Sequence, residues 1–291
     1  MSIARPISRP ISRPISRGIV RGDTIDPAAA AWIAGVEAAD GEALEPEVVA
    51  AYDKFVRGCK ADASPNAGVS NFAATEGFLI LCGARTLAGA LVPLRGPTPI
   101  NVGPFVDGDY SRKIGLQGNG STKRLRVQRS TVSDPAANCS LWAYANDNAT
   151  SRIAMGAGEA QNVGGGGHLG STRFTTNTNN GGSAFFRCRN STGDTVTGVG
   201  GVAGFIGLSR HQSDRYRRRV DASEAEVINA ADTTITDLEY WLYNVNAPSV
   251  SPDVLASDRF KAAAGTGRAI DMGAMRLRVQ ALLEDLQTAI P

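Results

Sequence analysis

Apolar residues recur at two spacings along this chain, and the change of spacing falls near residue 110. Before that point they lie three and four apart, the period of one helical face. Asp26 followed by Pro27 offers an N-cap acid and a proline at the first helical position, where an amide donor is not needed. Trp32, Ile33 and Val36 then share a face, and Asp40-Gly41 stops it. A second start at Glu45-Pro46 leads into Val48, Val49, Tyr52, Phe55 and Val56 and ends at Gly58. The two predict a helical hairpin, with a third, shorter helix over residues 72–82 packing on it. Pro93, Pro97, Pro99 and Pro104 then end regular structure.

Beyond Tyr110 the texture becomes short runs of Val, Thr, Phe and Ile, at residues 123–128, 139–145, 184–189 and 204–209. Turn-forming stretches at 118–120, 164–167 and 179–182 separate them, and residues 238–245 and 258–264 read as further strands. Many short strands with turn signals predict an antiparallel β-sandwich or jelly roll. The chain closes with a helix from about Asp271, whose Met272, Met275, Val279, Leu282, Leu283, Leu286 and Ile290 alternate three and four apart. A stripe this short fits one helix packed on the sandwich better than a free coiled coil. The alternation of Met275, Val279, Leu282, Leu286 and Ile290 also follows a coiled seam, and a homo-oligomer, with a trimer favoured, is the expected assembly. Gly273 and the short length mean that sandwich faces would have to supply most of that interface.

The N-terminus follows neither period. Arg5-Pro6-Ile7-Ser8 is repeated as Arg9-Pro10-Ile11-Ser12 and Arg13-Pro14-Ile15-Ser16, followed by Arg17-Gly18. A proline at every fourth position removes amide donors and fixes φ, so no α-helix runs through the repeat. In polyproline II geometry each repeat advances about 12 Å and presents one cation and one apolar side chain. Arg5, Ile7, Arg9, Ile11, Arg13, Ile15 and Arg17 are therefore the expected anchoring residues of an arm that orders on a neighbouring subunit. The fold class expected is mainly β with helical segments: an extended arm (1–25), a small helical region (26–105) and a β-sandwich with a C-terminal helix (106–291).

With 42% hydrophobic and 20% charged residues, the bulk of the chain has the composition of a folded protein. No run reaches the roughly 18 to 20 apolar residues of a membrane span, and no apolar signal-peptide core follows the N-terminus, so no membrane partner is expected. Cys59, Cys82, Cys139 and Cys188 form no close pair in sequence and are expected as buried thiols. His168 and His211 are too isolated for a metal site, and no cofactor is expected.

The net charge of +2 conceals a division. Residues 110–220 hold 15 basic and five acidic side chains, whereas 23–109 hold five and twelve and 221–291 hold five and eleven. Acidic flanks closing on a basic middle is the favoured reading, with a positive face toward an anionic partner as the sharper one.

Chemistry is sparse. A glycoside hydrolase needs two carboxylates flanking the sugar bond, yet the sequence holds no E-x-D pattern and no acids paired at i, i+2 in its basic middle. G-x-S-x-G is missing, and the glycines at 164–167 precede no Lys-Ser/Thr. An enzyme is not expected. Sugar-stacking candidates are Tyr110, Trp142, Tyr144, Tyr216, Trp241 and Tyr243, with Asn146, Asp147 and Asn148 as a polar cluster. Trp142 and Tyr144 share one face of a strand, which is more often core than platform. Arg215, Arg217, Arg218 and Arg219 read as a solvated loop or strand edge.

Three stretches together resemble a family of phage virion proteins with a concanavalin A-like sandwich. The first is Ala31-Trp32-Ile33-Ala34-Gly35-Val36-Glu37 with Phe55-Val56-Arg57-Gly58-Cys59-Lys60. The second runs from Ala84-Arg85-Thr86-Leu87 through Gly108-Asp109-Tyr110-Ser111-Arg112-Lys113 to Gly118-Asn119-Gly120-Ser121. The third is Gly204-Phe205-Ile206-Gly207-Leu208-Ser209-Arg210 with the closing strand and helix. The arm is similar to repeats that precede such domains. The resemblance implies a structural protein of the virion, assembled in the bacterial cytoplasm. A tail fibre or tail-associated role contacting the host surface is favoured over a ligand-free capsid decoration or cement protein. Its implied partners are other virion subunits and a host surface glycan, without nucleic acid.

Overall fold

The computed structural model describes residues 24–146, 154–158, 171–177, 182–190, 193–199, 203–231, 236–247 and 257–291. The arm with Arg5, Ile7, Arg9, Ile11, Arg13, Ile15 and Arg17 lies outside the described residues, as do Asp147, Asn148, His168 and the glycines at 164–167.

Helix α1 (Pro27–Asp40) begins as its sequence predicts, with the Asp26 carboxylate accepting from the Ala28 amide at 2.9 Å. It ends at Gly41, whose φ of 72° needs a residue without Cβ. Helix α2 (Pro46–Ala61) buries Val48, Tyr52, Phe55 and Val56 in the same core, with Tyr52 against Trp32 of α1 at 4.4 Å between ring centroids. The expected third helix is a correction. Only α3 (Asn71–Ala74) is helical, and the chain continues as strand β1 (Thr75–Ile80). Phe78 and Ile80 belong to one core while Leu79 and Leu81 belong to another. A strand apolar on both faces is a continuous hydrophobic run, which periodicity does not separate from a buried helix.

A short α4 (Leu87–Ala90) is followed by β2 (Ile100–Val102), β3 (Tyr110–Ser111), β4 (Gly115–Gln117), β5 (Arg124–Ser130) and β6 (Cys139–Ala145). Next come β7 (Ala154–Ala157), β8 (Ser171–Asn177), β9 (Ser183–Asn190), β10 (Asp194–Val196), β11 (Gly204–Arg210) and β12 (Arg215–Val220). The chain ends with β13 (Ser223–Ile228), β14 (Glu239–Leu242), β15 (Val245–Asn246), β16 (Phe260–Gly267) and α5 (Met272–Ala289). These strands form two eight-stranded sheets, antiparallel except where β15 joins β7. The first runs β13-β12-β11-β6-β16-β4-β3 with β1 also on β16; the second runs β10-β9-β8-β7-β14-β5-β2 with β15 on β7. The fold is the expected antiparallel β-sandwich closed by a C-terminal helix. Residues 26–105 give a strand to each sheet, β1 to the first and β2 to the second.

The layers are helices, first sheet, second sheet. Alternation along β6 serves both cores: Leu141, Ala143 and Ala145 face the second sheet, while Trp142 and Tyr144 face the helices. Trp142 stacks on Phe205 and meets Phe78 edge-on, each at 5.4 Å between centroids. Helix α5 buries Met272, Met275, Val279, Leu282, Leu283 and Leu286 in this same helical layer. That corrects the seam reading of its stripe, because those side chains are covered within one subunit.

Candidate functional site

Directly paired residues of neighbouring strands point to the same side of a sheet. In the second sheet Leu125, Leu242, Met155, Phe174 and Phe186 pair in series and turn inward, all buried. The adjacent register row is Ile100, Arg126, Trp241, Gly156, Arg173 and Arg187, one residue from each of six strands, and it faces outward. Arg124 stands two residues before Arg126 and lies over the Trp241 ring at 4.4 Å. Phe185 stands two residues before Arg187, with the Arg173 and Arg187 guanidiniums 5.2 and 5.1 Å from its ring. Four arginines and two aromatic rings therefore share this face. Among the described strand residues of the sheet, Glu239 is the one carboxylate on it. It accepts from Arg126 Nε at 2.6 Å and from the Gln128 amide at 3.0 Å.

The face is graded in depth. Arg173 and Arg187 are buried, and that burial pulls the Arg187 pKa below its usual value. Arg124, Arg126 and Trp241 are the accessible part. There, Trp241 Nε1 and Arg124 Nε are buried donor atoms without a hydrogen-bond partner among the described residues. Two donors side by side, with the guanidinium over the indole, suit a ligand rich in acceptors.

Of the six aromatic candidates, the structure leaves Trp241 alone on this outer face. Trp142, Tyr216 and Tyr243 are buried, and Tyr144 packs toward the helices. Tyr110 donates its hydroxyl to the Ala84 carbonyl at 2.8 Å. Asn146 is engaged in holding the carbonyls of Lys113 and Ile114. The arginine run is also not a loop or an edge. It forms β12, one strand in from the edge, where Glu226 of β13 meets Arg215 at 2.9 Å and Glu224 meets Arg219 at 2.9 Å. Likewise Glu45 meets Arg112 at 2.7 Å and Glu76 meets Arg129 at 3.1 Å, so the acidic flanks do close on the basic middle.

Sequence reasoning missed Arg124, Arg126, Arg173, Arg187 and Phe185. One signal was present: in Arg124-Leu125-Arg126-Val127 cation and apolar residue alternate strictly, which marks one polar and one buried face. Among the described residues no three His, Cys, Asp or Glu side chains are placed to hold a metal ion, and no helix is long and apolar enough to cross a membrane.

No family model matches the chain, and no curated protein is similar to it in sequence. Several solved structures share part of its shape. A Trypanosoma rangeli sialidase in complex with 2,3-difluorosialic acid matches at a TM-score of 0.45 and 12% identity, over 82% of this chain and 38% of that one. Domain 4 of AbnA, an extracellular GH43 arabinanase from Geobacillus stearothermophilus, in complex with arabinotriose, matches at 0.36 and 12% identity, over 64% of this chain and 83% of that one. Domains LG4-5 of the mouse laminin α1 chain match at 0.32 and 13% identity, over 51% and 40%. The chain thus spans about two fifths of the sialidase. Likeness of this degree bears on neither ligand nor chemistry.

Proposed function

We propose that this chain is a non-catalytic structural component of a bacteriophage particle, a tail fibre or tail-associated protein, and that the outer face of its second sheet takes an anionic glycan of the host surface. The observation that carries the binding reading is the outward row Arg126, Trp241, Arg173 and Arg187 with Arg124 over the indole. A ring face gives a sugar its apolar platform, and guanidiniums give bidentate contacts to carboxylate or sulfate. The particle reading is supported by the Arg-Pro-Ile-Ser arm and by the resemblance of three long stretches to phage virion proteins. The absence of hydrolysis is supported by Glu239 being the face's one strand-borne carboxylate among the described residues, already tied to Arg126.

The test is binding of the purified chain to host lipopolysaccharide and to matched uronate-bearing and neutral polysaccharides. Binding confined to the acidic polymers and weakened by salt is expected. Trp241→Ala and the double variant Arg124→Ala/Arg126→Ala should each lose about tenfold or more in affinity while melting as the wild type does. Unchanged affinity in both would remove the face from the reading, and released oligosaccharide would overturn the non-catalytic one. Locating labelled chain in particles by electron microscopy distinguishes the tail from a capsid decoration position.

A further inference from the structure

Cys139 opens β6 in the first sheet and Cys188 lies near the end of β9 in the second. Both side chains point into the core between the sheets, where both are free thiols. Their Sγ atoms are 3.8 Å apart, one thiol donating to the other. A disulfide requires about 2.05 Å, so the sulfurs need approach by about 1.8 Å. Arg210 is the register partner of Cys139 and donates from Nε and Nη2 to the Cys188 carbonyl at 3.1 and 2.8 Å. Burial pushes the Cys188 thiol up, but the hydrogen bond from Cys139 and the Arg210 and Arg189 charges outweigh it and leave it below the usual thiol value. Its hydrogen bond to Cys188, together with burial, holds Cys139 well above that value.

We propose that Cys139 and Cys188 are an oxidation site, closing to an inter-sheet disulfide when the chain meets a peroxide. The Cys188 thiolate attacks one peroxide oxygen, forming an S–O bond and breaking the O–O bond. The hydroxide released takes the Cys139 proton and leaves as water. The Cys139 thiolate then attacks the Cys188 sulfur and displaces the second hydroxide, which a solvent proton converts to water while the proton first lost by Cys188 restores the balance. Two thiols and one hydrogen peroxide become one disulfide and two waters, each sulfur giving up one electron. The new bond joins positions 49 residues apart and staples the first sheet to the second. Cys59 and Cys82 are a built-in comparison: burial raises both thiols, Cys82 to about 12, and the Cys82 thiol donates to the Ala262 carbonyl instead of to a second sulfur.

The experiment uses the full chain, fully reduced, exposed to hydrogen peroxide just below its melting temperature, where buried thiols are sampled by solvent. The remaining thiols are alkylated and the digest is read by mass spectrometry. A Cys139–Cys188 linked peptide, with Cys59 and Cys82 alkylated, is expected. The melting temperature should rise by about 5–10 °C, fall back on reduction, and stay unmoved by peroxide in Cys139→Ser and Cys188→Ser. Recovery of Cys139 and Cys188 as alkylated thiols, as unlinked sulfinic acids, or linked to Cys59 or Cys82 would overturn the proposal. The wild-type peptide map decides the matter even where a serine variant fails to fold.

Discussion

Two glycines set the tolerance of the helix-facing core to change at single residues. A Cβ on Gly265 would sit 2.5 Å from Trp142 Cε2, and one on Gly207 would sit 2.7 Å from Trp142 Cβ. The indole therefore lies over Gly265 of β16 while its Cβ lies against Gly207 of β11, because both neighbours in the register lack side chains. Gly265→Ala should destabilise by about 1–3 kcal/mol through overpacking, and Trp142→Ala by about 3–5 kcal/mol through the cavity it leaves. Denaturant unfolding measures both, and a loss below about 0.5 kcal/mol for Gly265→Ala would show that the indole has room to move. The burial of Trp142 was legible, since a residue alternating with Leu141 and Ala143 on one strand belongs to a face. Its partner glycines were not, because a glycine in a strand run states no reason for its smallness until the neighbouring strand is known.

At the scale of elements, legibility follows how local the signal is. Asp26-Pro27 and Gly41 delimit α1 through contacts within one turn, and the runs at 139–145 and 204–209 become β6 and β11. β1 was misread because what makes it a strand is pairing with β16, nearly 190 residues away, and not its own period. The same long reach ties the helical hairpin to the sandwich. Arg112, between β3 and β4, donates to both Glu45 oxygens at 3.1 and 2.7 Å and to the Gly83 and Ala84 carbonyls. Hydrogen bonding from Arg112 brings the Glu45 carboxyl from its ordinary 4.5 down to about 2. A folded pKa below the unfolded one means that stability is complete above about pH 4.5 and is lost as pH falls toward 2. Allowing for partial solvent screening, roughly 1–2 kcal/mol should disappear across that window, and Glu45→Gln should flatten this part of the curve. An unchanged acid limb in Glu45→Gln would show that other carboxylates carry it. For α5, Leu282→Ala and Leu286→Ala should each cost about 2–5 kcal/mol while sedimentation stays as in the wild type, because the stripe is internal.

Over the whole molecule, the division of charge read from the sequence is real, but strand order decides what it does. Arg112, Arg126, Arg129, Arg215 and Arg219 all meet flank acids, but Arg126 also lines up with Arg173 and Arg187 across β5, β8 and β9 through pairings that span up to 115 residues. No local window holds that row, so the positive face was legible as a surplus and not as a place. The arm is the opposite case, fully visible as a repeat within one short window. The described cores draw on helices and sheets from α1 onward. On the proposed function, removing residues 1–22 should leave the melting temperature and glycan binding unchanged and abolish incorporation into particles, since a proline-spaced arm has no core of its own and gains order on a partner. Replacing Arg5, Arg9, Arg13 and Arg17 by Ser separates the two hooks of each repeat: incorporation that survives would assign the anchor to Ile7, Ile11 and Ile15, and incorporation that fails would assign it to charge. Particles that take up the shortened chain at the wild-type level would dispose of the anchor altogether.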